Sequence, residues 1–338
     1  MNFRSDNTAG VAPEILAAMI SANEGAASAY GEDALSRRLD EAFSALFEKD
    51  VRVFTVATGT AANAISLAAL TPPWGAVICH EEAHIACDEG GAPEFFTDGA
   101  KLVLTGGQVA KVTPQALAEA AARNARGIHS VKAAALSISQ SSERGACYTP
   151  AEMIALGDAA RRAGLSLHVD GARFANAVAA LGCPPADVTW RAGVDVLSFG
   201  ATKNGAMAGE AIVCFDPKLS EAIARRRKRG GHLFSKGRYA GAQLLAYIEN
   251  GLWLRLATRA NAMAARLGEA AASVLSHPVE TNQVFIRPGA EALARLRAAG
   301  AEFYDWGGEG GGEARLVVSW NQAEAEIEAM AAALASLG

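Results

Sequence analysis

The sequence predicts an α/β fold: a mainly parallel seven-stranded sheet with flanking helices, followed by a smaller α+β C-terminal domain. Three observations predict it. Seven short β-rich runs lie before residue 218, and Ala-rich helical stretches alternate with them. The runs are apolar throughout, the mark of strands buried on both faces. Strands separated by helices imply right-handed βαβ crossovers, and so a parallel sheet.

The strand candidates, in order, are VRVFTVA (51–57), AVICH (76–80), KLVLT (101–105), AAALSIS (133–139), LSLHVD (165–170), VDVLSFG (194–200) and AIVCF (211–215). The last follows its predecessor after a short polar loop, which allows it to run antiparallel. Helical patterns lie between, among them AANAISLAAL (61–70), ALAEAAARNA (116–125) and TPAEMIALGDAARRAG (149–164). In the last, Thr149 can cap the helix, Pro150 suits its first position and Glu152 completes a capping box. Gly164 stands where such a helix stops. After residue 218 the pattern changes to long helical stretches, notably 241–275, with short β-like runs VFIRP (284–288) and ARLVVSW (314–320) and a final helix. The chain thus divides into an N-terminal segment (1–14), a large α/β domain (15–240) and a small α+β domain (241–338). The stretch GGEGGGE (307–313) reads as a flexible connection.

Composition narrows the function classes. With 338 residues, 51% of them hydrophobic and 20% charged, the chain can build a sizeable core and is not disordered. A net charge of -5 argues against a nucleic-acid-binding body. The basic run Arg225–Arg229 reads as a solvated helix end. Five scattered cysteines without a C-x-x-C pair predict neither a disulfide framework nor a zinc knuckle, and no metal site is expected. MNFRSDNTAG has no apolar signal core, and no run approaches the roughly 20 apolar residues that span a bilayer. The expectation is a soluble cytoplasmic protein with neither nucleic acid nor membrane as partner.

Ligands of open α/β sheets bind at the carboxyl ends of the strands, and three features fall there. Asp170 ends LSLHVD, where a partly desolvated carboxylate wants a cationic partner, although Asp also suits a helix N-cap. Arg173 follows and can grip a carboxylate through two N–H groups, either a ligand's or an Asp of this chain. The turn T-G-T-A-A-N (58–63) opens a helix, whose N-terminus is a ready phosphate site. It is neither a P-loop nor a G-x-G-x-x-G turn. Lys203 follows VDVLSFG among small residues that would let a planar ligand approach the backbone. Singly it is an ordinary loop lysine. A phosphate cradle, then an acid, then an amine about thirty residues on is the set that pyridoxal phosphate needs: an anchor, a partner for the pyridinium nitrogen and an imine-forming lysine.

At these residues the chain resembles the threonine aldolases, the β-eliminating lyase group of the aspartate-aminotransferase-like pyridoxal phosphate fold type I. The resemblance runs through FRSDNTAGVAPEILAAM (3–19), YGEDALSRRLDEAFSALF (30–47), ATGTAAN (57–63), EEAHI (81–85), HVDGAR (168–173) and SFGATKNG (198–205). It implies a lyase that cleaves L-threonine or L-allo-threonine to glycine and an aldehyde. Lys203 would then hold the cofactor, Asp170 pair with its ring nitrogen and His84 stack on the ring. Gly59 and Thr60 would bind the phosphate, with Arg238 reaching in from a neighbouring subunit. Ser5, Arg173 and Arg315 would bind the substrate carboxylate, and Tyr30 and Glu89 lie in matching segments on the substrate side. The shared site implies a homo-oligomer, dimer or tetramer. One departure matters: SQSSERG (139–145) lacks the histidine that some members carry there, leaving His84, Glu89 or a water as the base for the substrate hydroxyl. The alternatives are another reaction of the same cofactor, β-elimination or transamination, and a cofactor-free protein whose basic run grips a phosphate-rich partner.

Overall fold

A computed structural model describes residues 1–123, 126–308 and 310–337. The last two positions of the expected helical run ALAEAAARNA, and residue 309 of GGEGGGE, lie outside the described residues. The first seven strands are β1 (Arg52–Val56), β2 (Gly75–His80), β3 (Lys101–Thr105), β4 (Lys132–Ser139), β5 (Ser166–Gly171), β6 (Val196–Gly200) and β7 (Glu210–Cys214). They form one sheet in the order β1-β7-β6-β5-β4-β2-β3. From β6 to β3 all neighbours are parallel, and β7 is antiparallel to both β1 and β6. Only residues 201–209 join β6 to β7, too few for the dozen or more that a parallel crossover requires.

Each of these seven expected strands is present within about two residues of its reading, and the more apolar ones take the middle of the covered sheet, with β1 and β3 at its edges. Every residue of β2, β6 and β7 is buried. The helix Pro150–Arg162 carries the expected capping box, and Gly164 follows it with φ +68°. An aromatic cluster fixes the sheet's other face: Phe199 of β6 meets Phe43 edge-on at 5.1 Å and Trp253 at 5.9 Å. Burying each such ring contributes about 1.5–3 kcal/mol.

The small domain is a three-stranded antiparallel sheet in the order β8-β10-β9, with β8 (Gln283–Ile286), β9 (Tyr304–Trp306) and β10 (Glu313–Val317). The helical stretch expected over 241–275 is two helices, Arg238–Ile248 and Leu252–Ala270, because Asn250 (φ 53°) and Gly251 (φ 66°) turn left-handed between them. The second helix belongs to both cores. Leu252, Trp253 and Ala257 pack in the large one, and Met263, Ala264 and Leu267 in the small one. Phe3 is also buried in the small core, so the N-terminal segment is stitched to the small sheet before it crosses to the large one.

The basic run ends the helix Ser220–Arg229, with Arg225, Lys228 and Arg229 exposed as expected. Arg227 departs from that reading. Its guanidinium donates to the carbonyl and hydroxyl of Thr55 at 2.6 Å each, fastening the helix to edge strand β1. All five cysteines are free. Among the described residues no helix is long and apolar enough to cross a membrane.

Candidate active site

The carboxyl ends of β1, β4, β5 and β6 and the amino end of β7 open onto one cavity of about 600 Å³. That is the place and size expected of a small-molecule site in such a sheet. Ser5, Gly59, Thr60, His84, Glu89, Asp170, Arg173, Lys203 and Arg315 all line it. Tyr30 and Arg238 do not. Tyr30 is half exposed beneath Lys228, whose ammonium lies 4.7 Å from its ring. Arg238 donates to the Gly25 carbonyl at 2.9 Å and borders a separate surface groove.

At the end of β1 the chain enters the helix Gly59–Leu70. Thr58 is extended (φ -145°) and its hydroxyl accepts the Ala61 N–H at 3.1 Å. The first N–H groups of a helix have no intrahelical acceptor and carry its positive dipole end, so Gly59 and Thr60 present an anion cradle to the cavity. A Cβ built on Gly59 meets nothing within 4 Å, which leaves the turn open on that side.

One turn further along the same helix, Asn63 joins three residues into a chain. Its amide donates to Asp170 Oδ2 and to Glu89 Oε1, both at 2.8 Å. Glu89 Oε1 also accepts from His84 Nδ1 at 2.8 Å. Asp170 uses its other oxygen to accept the Ala172 N–H at 2.9 Å. Burial pushes the Glu89 carboxyl up, and the hydrogen bond to Glu89 raises the His84 imidazole against its own desolvation. Glu89, expected on the substrate side, lines the cavity with a buried side chain: Oε1 holds His84 and Asn63, and Oε2 has no partner. His84, Glu89 and Asp170 bring ligand-type atoms within 4.8 Å of one another, but the Asn63 amide already bonds both carboxylates.

Lys203 sits in the short turn Thr202–Asn204 after β6. Burial and the charge of Arg173 lower its amine below the usual lysine range, opposed by Asp6, Asp170 and Glu210. The turn is anchored by Asn204, whose amide donates to the Tyr247 hydroxyl at 2.8 Å and the Trp253 carbonyl at 2.9 Å. The glycines around Lys203 do not serve as clearance for a ligand. A Cβ on Gly200 would lie 2.7 Å from the Ala172 carbonyl oxygen, and Gly205 has φ +107° with Leu256 and Ala12 against it. Gly200 permits close approach of backbone to backbone, and Gly205 a left-handed turn beneath packed side chains. Glu210, at the start of β7, accepts the Thr202 N–H at 3.3 Å, and burial pushes its carboxyl up to about 7.

The anion side of the cavity is built from Arg173 and Arg315. Sequence alone left Arg173 with either a ligand carboxylate or an internal one; the structure gives it Asp6. Arg173 Nε and one Nη donate to the two Asp6 oxygens at 2.8 and 2.9 Å. Partly buried Arg315 leaves its Nε without a partner, and desolvation with the neighbouring Arg173 charge brings it down to about 10. Its guanidinium lies 4.8 Å from the Trp306 ring, a residue of the unexpected strand β9. Ser5 lines the same side, its hydroxyl accepting the Asn7 N–H at 3.2 Å.

The loop 139–145 has no histidine, yet it brings a titratable group. Glu143 Oε1 accepts the Ser139 hydroxyl at 2.5 Å and the His84 N–H at 3.0 Å, and burial pushes its carboxyl up to about 7. His168 of HVDGAR is a satisfied core residue between Ser137 and Ser198, at 2.9 and 3.0 Å, and burial lowers its pKa. Sequence reasoning therefore missed Asn63, Glu143 and Glu210 as cavity-lining residues, and Asp6 as the partner of Arg173. Asp6 and Asn63 had a usable signal, since each lies within a segment already singled out for its neighbours.

A low specificity L-threonine aldolase of a Pseudomonas species is 44% identical over 98% of this chain and 96% of its own length. That of Pseudomonas aeruginosa is 45% identical over 94% and 92%. A solved threonine aldolase of Leishmania major superposes with a TM-score of 0.93 at 29% identity, covering 99% of both chains. The architecture is that of the fold-type-I pyridoxal phosphate enzymes. The family model described as beta-eliminating lyase matches residues 2–290, and the chain belongs to that family.

Proposed function

We propose that this chain is a pyridoxal-phosphate-dependent aldolase that cleaves L-threonine, L-allo-threonine and related β-hydroxy-α-amino acids to glycine and an aldehyde. The observation that carries the reading is one cavity holding a helix N-terminus, a carboxylate and an amine of lowered pKa on one side, with two guanidiniums on the other. The activity named for the Pseudomonas relatives supports it. The residues fit the cofactor. Gly59 and Thr60 offer open amides for its phosphate, Asp170 a buried carboxylate for its ring nitrogen, and the half-exposed His84 imidazole a surface for its ring. The Asn63 Oδ1 atom, buried without a partner, adds an acceptor at the same wall. When bound, the cofactor supplies an electron sink for the electron pair of the Cα–Cβ bond.

The chain's own residues do the rest. Asp170 stabilises positive charge at the ring nitrogen. Lys203, held neutral more readily than a surface lysine, is a competent nucleophile. Arg315 Nε, the free edge of Arg173 and Ser5 bind the substrate carboxylate and so set which bond at Cα faces the ring. Orientation of this kind supplies up to about 7–11 kcal/mol in well-ordered intramolecular reactions. His84, steadied at Nδ1 by Glu89, takes the β-hydroxyl proton through its other nitrogen as the aldehyde departs. Tyr30 and Arg238, on the outer surface, complete the neighbouring subunit's site in a homodimer or tetramer, Arg238 on the phosphate. Five free cysteines fit the cytoplasm.

The test is product identity. Purified protein supplied with pyridoxal phosphate should convert threonine, allo-threonine and phenylserine to glycine and the matching aldehyde, and Lys203→Ala should abolish turnover. Failure to bind the cofactor, or release of ammonia and a keto acid in place of glycine, overturns the reading.

A further inference from the structure

Asp6 is 2% exposed, yet it lies in the short turn Asp6–Thr8, between the cavity-lining Ser5 and Asn7, rather than in a core element. Both of its oxygens face Arg173, and Oδ2 also accepts the Asn282 amide at 3.0 Å. Asn282 is itself fixed, donating to the Val318 carbonyl at 2.9 Å. Asp6 is thus tied on one side to the small domain and on the other to a guanidinium of the large one. The pairing consumes Nε and one Nη of Arg173 in the two-bond geometry that best defines a guanidinium plane. It leaves the second Nη as the edge free to meet a ligand. Arg315, on the same side of the cavity, keeps its Nε unbonded and buried.

We infer that Asp6 is a positioning residue for substrate binding: it holds Arg173 by one edge so that the other edge, with Arg315 Nε, forms a two-guanidinium clamp for the substrate's carboxylate. This rests on the proposed role of Arg173 and Arg315 at the carboxylate. Three cations, Arg173, Arg315 and Lys203, otherwise crowd one cavity. Desolvation disfavours an Asp6 anion, but the charges of Arg173 and Lys203 and the bonds from Arg173 and Asn282 overcome it, so Asp6 stays ionised. A fixed internal anion keeps the cations together without filling the edge that the substrate uses.

The experiment compares two small competitors on the holoenzyme: propionate, which has a carboxylate and no amine, and ethanolamine, which has an amine and no carboxylate. Binding is read from tryptophan fluorescence, since Trp306 lines the cavity, and from competitive inhibition of threonine cleavage. Asp6→Asn should weaken propionate and raise the KM for threonine about tenfold, the loss of a charged hydrogen bond. Ethanolamine affinity, cofactor affinity and kcat should change by less than about threefold. Asn282→Ala should show the same selectivity at smaller amplitude, which preserves the test if Asp6→Asn folds poorly. Equal weakening of both competitors, unchanged propionate binding, or tighter propionate binding overturns the inference, the last by making Asp6 a competitor of the substrate. Arg173→Lys separates the two layers: if it leaves propionate untouched, the carboxylate role of Arg173 has failed, whatever Asp6 does.

Discussion

At position 84 a half-exposed imidazole is held by a fully buried carboxylate, and that asymmetry sets its chemistry. The hydrogen bond that His84 donates to Glu89 is the largest influence on its pKa and raises it, while desolvation and the Lys203 charge pull the other way. Glu89→Gln keeps an acceptor at 2.8 Å but removes the anion. The His84 pKa, followed by proton NMR of its ring, should then fall, and the limb of the pH–rate profile that follows His84 should move to lower pH with it. An unchanged titration would mean that Glu89 is already neutral there. Residues of this kind were only half legible in the sequence. Lys203, Asp170 and His84 stood out because each has a chemistry that its segment does not need for folding. Asn63 and Glu143 did not: a helix-interior Asn and a loop Glu acquire a role only when the strand ends bring Asp170 and His84 beside them.

Among the elements, β6 and the turn that follows show how a strand end can be tuned. Gly200 pairs with Glu210 across the β6–β7 ladder and packs its bare Cα against Ala172, next to Arg173. Gly200→Ala forces a Cβ to 2.7 Å from the Ala172 carbonyl oxygen, a backbone atom that cannot rotate away. It should cost about 1–3 kcal/mol, as overpacking does, in denaturant unfolding of the cofactor-free protein. Gly59→Ala offers the contrast. Its Cβ meets open space, so stability should hold or rise slightly, while cofactor affinity falls because the methyl enters the anion cradle. If both variants lost stability alike, the two glycines would share one structural role. The strands themselves were read well, KLVLT (101–105) to the residue, although it is an edge strand with only Thr105 buried. Strand β9 was missed because Tyr304–Trp306 is three residues long and only becomes a strand by pairing with β10.

For the molecule as a whole, two buried carboxyls link folding to pH. Burial pushes both Glu143 and Glu210 up to about 7 from an ordinary value near 4.5. The folded chain therefore holds protons that the unfolded chain has released, and stability contributed by these groups falls as pH rises from about 4.5 to 7. Glu143→Gln and Glu210→Gln remove that slope. Relative to wild type, each variant should gain stability as pH rises through this window, by up to about 3 kcal/mol. Denaturant midpoints of the cofactor-free protein at pH 5 and pH 8 measure it, and parallel midpoints at both would refute it. Neither group was visible in advance, because their burial arises from the inverted strand β7 and the fold of the 139–145 loop. The change in pattern after residue 218 was legible, but not where the cores divide: Leu244, Leu245, Tyr247, Leu252, Trp253 and Ala257 still pack in the large core.

The first residues tie these scales together. The Phe3 N–H donates to the Glu302 carbonyl at 2.7 Å, and the Phe3 carbonyl accepts from Val317 at 2.9 Å, two residues before Ser5 and three before Asp6. The arm that reaches over the cavity thus hangs from the small sheet, which also supplies Arg315 and Asn282. Substitutions that re-seat the small sheet would retune the grip on the amino acid while leaving every cavity-lining side chain as it was, giving natural variation or laboratory selection a route to new substrate preferences at a distance from the chemistry.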